Sequence, residues 1–169
     1  MRTSYAVISV LSFALSGCHF FGPRDMTNLS TITDVAQLNN LSGVWKATSN
    51  TYTLTKRLQY PADSITIILH KDSTFEAINI PDCLSDGLGN PVKHQLLNAT
   101  GRWGVEQDGK EWKIRMEFKP GKLFAKGLYT DFDVYRSGND LLMGVYAGDP
   151  DEAKALDFIK PNGEVETVN

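Results

Sequence analysis

The sequence predicts an all-β fold, an antiparallel barrel or sandwich of about eight strands. Three observations lead there: strict apolar–polar alternation between residues 112 and 119, further runs of shared parity separated by turn-forming residues across residues 41–160, and no helical period of core length between them.

The clearest strand carries Trp112, Ile114, Met116 and Phe118 in alternation with Lys113, Arg115, Glu117 and Lys119. Successive side chains of a strand point to opposite faces, so one apolar row turns inward and one charged row outward. In chain order, residues 43–50 read as the first strand. Residues 64–70, with Ile65, Ile67 and Leu69 in phase, turn across Lys71-Asp72-Ser73 into residues 74–80. Residues 101–106, where Trp103 and Val105 share parity, meet the 112 run through Asp108-Gly109, a dipeptide that tolerates the positive φ angles of a tight hairpin. Leu128, Phe132 and Val134 oppose Tyr129, Asp131, Asp133 and Tyr135, and Ser137-Gly138-Asn139-Asp140 then turns the chain into residues 141–147. Gly148-Asp149-Pro150-Asp151 turns it again into residues 155–160. Parallel α/β architectures are disfavoured, since their strands alternate with helices.

Two stretches fit this pattern less simply. Residues 51–60 are compatible with a strand, a short helix or a lid-like first loop. Residues 81–95, punctuated by Pro81, Gly87, Gly89 and Pro91, form a long loop of the kind that is usually functional or mobile in a compact domain. Residues 34–41 fit a short set of helical turns.

Ahead of this body, Arg2 precedes an eleven-residue apolar run, residues 5–15, broken only by Ser9 and Ser12, and small residues then lead to Cys18. That is the layout of a secretory signal. The run is too short for a permanent membrane span, which needs about 20 apolar residues. Leu15-Ser16-Gly17-Cys18 resembles the lipobox of bacterial lipoproteins. The resemblance implies cleavage before Cys18, lipid on its thiol and acylation of the new amine. Several acyl chains would anchor the chain stably, each buried methylene contributing about 0.8 kcal/mol. His19, rather than aspartate, follows the cysteine, which resembles the outer-membrane sorting pattern of enteric-type lipoproteins and implies a cell-envelope protein facing the periplasm. The alternative is an ordinary signal cleaved nearby, leaving Cys18 a free thiol. The expected organisation is a signal at residues 1–17, a lipidated cysteine and tether at 18–40, a β domain at 41–160 and a tail at 161–169.

Removing the signal takes away Arg2 and leaves 16 basic against 20 acidic residues, a formal charge of −4. No basic footprint for nucleic acid is present, so no nucleic-acid partner is expected. With Cys18 lipidated, Cys83 is the one remaining thiol and no internal disulfide can form. The sequons at Asn28, Asn40 and Asn98 read as chance matches in a bacterium.

Gly43-Val44-Trp45 opens the first strand, and Thr130-Asp131-Phe132-Asp133-Val134-Tyr135 follows about 85 residues later. Together they resemble the first two signature segments of the lipocalins. The resemblance implies an up-and-down, lipocalin-like barrel of about eight strands, with Gly43, Trp45, Thr130, Asp131 and Phe132 as a barrel-floor motif. It also implies a cup for a small apolar or amphipathic ligand, whose contact residues the sequence does not identify. Two departures stand out: the final strand lacks an arginine to stack on Trp45, and no C-terminal helix follows residue 160.

Catalytic, metal and cofactor sites are not expected. His19, His70 and His94 are scattered, and a trio of Asp82, Cys83 and His94 on the long loop has no metal-ligand spacing. Asp149, Asp151 and Glu152 lack the glycine and distal glutamate of a calcium loop. Trp45, Trp103, Trp112, Phe75, Phe118 and Phe132 either line a cup or fill it, since an eight-stranded barrel is just wide enough for its own side chains or one small ligand. The leading reading is a lipid-anchored carrier of a small apolar or amphipathic ligand; the alternative is a protein-binding envelope factor such as an immunity protein or inhibitor of a toxin or lytic enzyme, and a third, minor reading is an enzyme using Cys83 with His94.

Overall fold

The computed structural model describes residues 29–34, 38, 40–86, 89–152 and 154–161. Cys18 and the signal lie outside them. In chain order the elements are β1 (Ser30–Thr31), β2 (Gly43–Ala47), α1 (Ser49–Arg57), β3 (Thr66–Leu69), β4 (Thr74–Pro81), β5 (Leu96–Asp108), β6 (Glu111–Phe118), β7 (Leu128–Ser137), β8 (Asp140–Tyr146) and β9 (Ala155–Lys160). Each strand from β2 to β9 pairs antiparallel with the next, and β9 returns to β2 through Lys46↔Ile159 and Ala47↔Phe158. The result is the closed, up-and-down, eight-stranded antiparallel barrel that the lipocalin-like pattern implies. Closure leaves no free sheet edge to template aggregation.

Alternating strand direction sorts the connections to two rims. One rim carries the tight turns at 70–73, 109–110 and 138–139 and the start of β2; the other carries the long connections at 48–65, 82–95, 119–127 and 147–154. β1 joins β7 at the tight-turn rim, through Ser30↔Arg136 and Thr31↔Tyr135. The packed body therefore begins upstream of residue 41, inside the segment read as tether, because Ile32 and Leu38 are buried in the core. They belong to the same hydrophobic core as Leu41 and Trp45.

Trp45 is fully buried, and its indole Nε1 donates to Leu41 O at 2.9 Å. Gly43 takes φ +124, a conformation that favours glycine at the start of β2. The last strand carries Lys160 at its end. Lys160 donates from Nζ to Asn40 O at 2.7 Å and to Ser42 O at 2.5 Å, tying β9 to the backbone leading into β2.

Of the 51–60 stretch, residues 51–57 belong to α1, nine residues long and capped at its start by the Thr48 side chain. A helix this short is marginal alone, and tertiary contacts hold it. Thr51 Oγ1 donates to Asp157 O at 2.8 Å and accepts from Asp157 N at 2.7 Å, while Leu54 is buried.

The interior is filled with side chains. Trp45, Phe75, Ile114, Met116, Phe132 and Phe158 keep 0–1% exposure. A side chain bordering a hollow large enough for water would retain accessible surface facing it, so these six residues border none. Phe75 meets Phe118 edge-on at 5.0 Å between ring centres, and Phe118 meets Phe124 at 4.8 Å. That aromatic series runs from the core into the 119–127 connection, where buried Leu123 and Phe124 stopper the long-connection rim.

Candidate functional site

With the interior packed, the long connections are the elements free to vary chemistry on a rigid scaffold. Their organiser is Asp82, the first residue of a short 3-10 turn, Asp82–Ser85. Its side chain is buried at 3% exposure. Oδ1 accepts from the Tyr60 hydroxyl at 2.6 Å and from Val92 N at 3.2 Å, and Oδ2 accepts from Lys93 N at 2.7 Å and Gln95 N at 3.2 Å. Burial alone would push this carboxyl up, but the four donors hold it below the ordinary carboxylate range. One carboxylate thus fixes the backbone of residues 92–95 to the rim.

Further contacts hold the same loop. Gly89, at φ +68, lies so close to the next connection that a Cβ there would sit 1.7 Å from Ala147 O. Lys154 Nζ reaches both Glu152, at 2.6 Å, and Asn90 Oδ1, at 3.3 Å. The described parts of this loop, residues 82–86 and 89–95, are therefore anchored on two sides.

Between this loop and the 119–127 connection runs a groove with β5 as its floor. Its larger part, about 430 Å³, is lined by Asp82, Ser85, Val92, Lys93, Gln95, Leu97 and Lys122. A second, smaller depression of about 170 Å³ lies next along β5, lined by Asn98–Thr100, Lys119, Pro120, Gly121, Leu123 and Phe124, and the two are taken together as the groove. Among the described residues, no carboxylate pairs with the ammonium groups of Lys93, Lys119 or Lys122. The acid in the lining, Asp82, points its two oxygens at four neutral donors and keeps one negative charge, so the lining carries three positive charges against one.

A recess of about 400 Å³ on the outer wall, at Arg102, Gly104 and Arg115, differs in its charge balance. Arg115 pairs bidentately with Asp131, at 2.8 and 3.0 Å, also pairs with Glu106, and lies 4.8 Å over the Tyr129 ring. Its charge is met within the wall itself.

The residues singled out from sequence separate accordingly. Gly43 and Trp45 stand at the floor, whereas Thr130, Asp131 and Phe132 lie further up β7, with Thr130 opposite Met116. β7 enters from the long-connection rim, so its Arg136 and Ser137 reach the tight-turn end instead. Phe132 points into the core and Asp131 outward to Arg115. Asp82, Cys83 and His94 form no metal cluster among the described residues. Cys83 is fully buried, and His94 Nδ1 contacts Leu58 O at 2.8 Å. Asp149 Oδ1 accepts from Asp151 N at 2.9 Å, a local turn contact. Cys18 lies outside the described residues.

Sequence reasoning missed Tyr60 and the three groove lysines. The lysines left a signal: residues 119–127 hold Lys119, Lys122 and Lys126 with no acidic residue among them. Comparison with protein-family models, curated proteins and solved structures finds no match for this chain.

Proposed function

We propose that this chain is a lipid-anchored protein of the bacterial cell envelope that acts by binding another protein through its long-connection rim, in the manner of an immunity protein or inhibitor. The observation that carries this reading is the packed barrel interior. Six large core side chains at 0–1% exposure leave the outer loops as the variable chemical surface. The barrel form by itself is equally compatible with a small-ligand carrier, but bulky side chains stand where a cargo would sit.

The anchor reading rests on Leu15-Ser16-Gly17-Cys18 and its upstream apolar run. His19 supports the outer membrane, periplasmic side, as its location. β1 joins the barrel at the tight-turn rim. Cys18 lies twelve residues before Ser30, a reach of at most about 40 Å. An anchor attached there favours a rim of long connections directed away from the membrane. No enzymatic role and no cofactor form part of this proposal.

Two measurements test it. Mass spectrometry of the mature protein should find an acylated Cys18 as the first residue, and Cys18→Ala should abolish both acylation and membrane association; an unacylated wild-type protein sinks the anchor. Photo-cross-linkers at Val92 and at Gly109, on opposite rims, should capture a specific protein in intact cells from Val92 alone. Capture from neither position sinks the partner-binding reading.

A further inference from the structure

Charge is distributed unevenly over this molecule. The chain as a whole carries a formal charge of −3. The groove between the 82–95 and 119–127 connections nevertheless presents Lys93, Lys119 and Lys122 with no paired carboxylate among the described residues. Apolar surface accompanies the lysines: Val92 is 58% exposed and Leu97 is half-buried.

We infer that this groove receives an acidic, partly apolar segment of the protein partner, an inference that rests on the partner-binding reading above. Three features point to that occupant. Three lysine ammonium groups against the one carboxylate of Asp82 leave the lining net positive, which favours encounter with an acidic surface. The Asp82 hydrogen bonds and the close Gly89–Ala147 contact fix the groove wall in advance, so little ordering cost is added on binding. The groove also opens at the rim opposite β1. A lipid tether leading from β1 makes the anionic membrane surface a poor occupant and a protein in the aqueous space a good one.

The experiment uses the full acylated protein in a neutral nanodisc. Its probes are a fluorescent peptide of four glutamates around a central leucine, the same peptide with lysines for glutamates, and phosphatidylglycerol vesicles. The acidic peptide should shift amide resonances confined to residues 92–97 and 119–124. The combined Lys93→Glu, Lys119→Glu, Lys122→Glu protein should bind it about tenfold more weakly or worse. Lys110→Glu, at the opposite rim, should leave binding unchanged. The milder Lys→Gln triple variant, with an unaltered thermal midpoint, guards against misfolding and should show an intermediate loss.

Equal binding by the basic peptide, shifts centred elsewhere, or indifference to charge reversal overturns the inference. Lysine-dependent binding of the vesicles without binding of the peptide overturns it in favour of an anionic lipid. A partner cross-linked from Val92 equally well in the wild type and the charge-reversed protein removes the acidic-segment inference alone, whereas no cross-linked partner at all removes the reading beneath it.

Discussion

The Tyr60 hydroxyl stands between Asp82 and Cys83, donating to Asp82 Oδ1 at 2.6 Å and accepting the Cys83 N–H at 2.9 Å. The contact joins the end of the first long connection to the start of the second. Burial and the neighbouring Asp82 both push the Tyr60 phenol far above its ordinary range, so it remains a donor at every accessible pH.

Tyr60→Phe removes that donor and leaves the Cys83 N–H and one Asp82 oxygen short of a partner in a buried setting. The expected cost is about 1–3 kcal/mol, read as a lower urea midpoint at unchanged m-value. Val92 to Gln95 should also exchange amide hydrogens faster, since they share the same carboxylate. A midpoint equal to that of wild type would show that the rim does not depend on this contact.

Asp82 also predicts a pH dependence. Its folded-state carboxyl lies below its unfolded value, which is about 3.9. A depressed carboxyl contributes stability that is present above the unfolded pKa and disappears as pH falls through the folded one. Unfolding free energy should therefore be level above about pH 5 and decline towards pH 2. Asp82→Asn should start less stable, because an amide cannot accept from all four donors, and should show a shallower acid decline. Parallel pH profiles for the two proteins would refute this assignment.

How far these features were legible in the sequence depends on the range of the interactions involved. β6 was readable from Trp112 to Phe118 because one face is buried along its length, and local parity records that directly. α1 was left as one of three options: Thr51, Thr53 and Thr55 favour strands, and the choice of helix follows from Thr51 meeting the Asp157 backbone, 106 positions away. Asn79 at φ +58 marks the break in β4–β5 register between Ala77 and Ile80, at a position with no glycine to announce it. Asp82 and Cys83 were noticed as reactive residue types, but their roles follow from donors at Tyr60, Val92, Lys93 and Gln95 that only the folded loop assembles. Lys160 was passed over because its partners, Asn40 O and Ser42 O, are 118–120 positions away.

Lys160 gives a test of the floor. Lys160→Met retains most of the aliphatic stem but leaves Asn40 O and Ser42 O without the ammonium, and the expected loss is about 1–2 kcal/mol. Lys110→Met, on an exposed turn, should stay within about 0.5 kcal/mol of wild type. Equal effects at the two lysines, measured by urea unfolding, would mean that the β9 contact adds nothing to closure.

Cys83 should be chemically silent in the native protein. Burial is the main cause of its raised thiol pKa, and the adjacent Asp82 charge adds to it, so little thiolate forms near neutral pH. Ellman's reagent should react on the order of a hundredfold more slowly with native than with urea-unfolded protein. If Cys18 is acylated, one thiol per chain should appear on unfolding. A fast native reaction would place Cys83 at an accessible surface, contrary to its complete burial.

Phe132 decides whether the barrel is scaffold or container. Its ring keeps 1% exposure and packs against Phe158 at 6.3 Å between centres. Phe132→Ala should cost about 3–5 kcal/mol and leave a void in an apolar setting. Such voids stay dry and accept benzene-sized molecules when about 150 Å³ is free. Benzene should therefore raise the thermal midpoint of Phe132→Ala and leave that of wild type unchanged, with Phe132→Leu as a more stable variant should the alanine protein fail to fold. If instead the wild-type protein takes up benzene or a larger apolar dye, with a change in tryptophan emission, its core yields space to a ligand and the small-molecule carrier becomes the better reading.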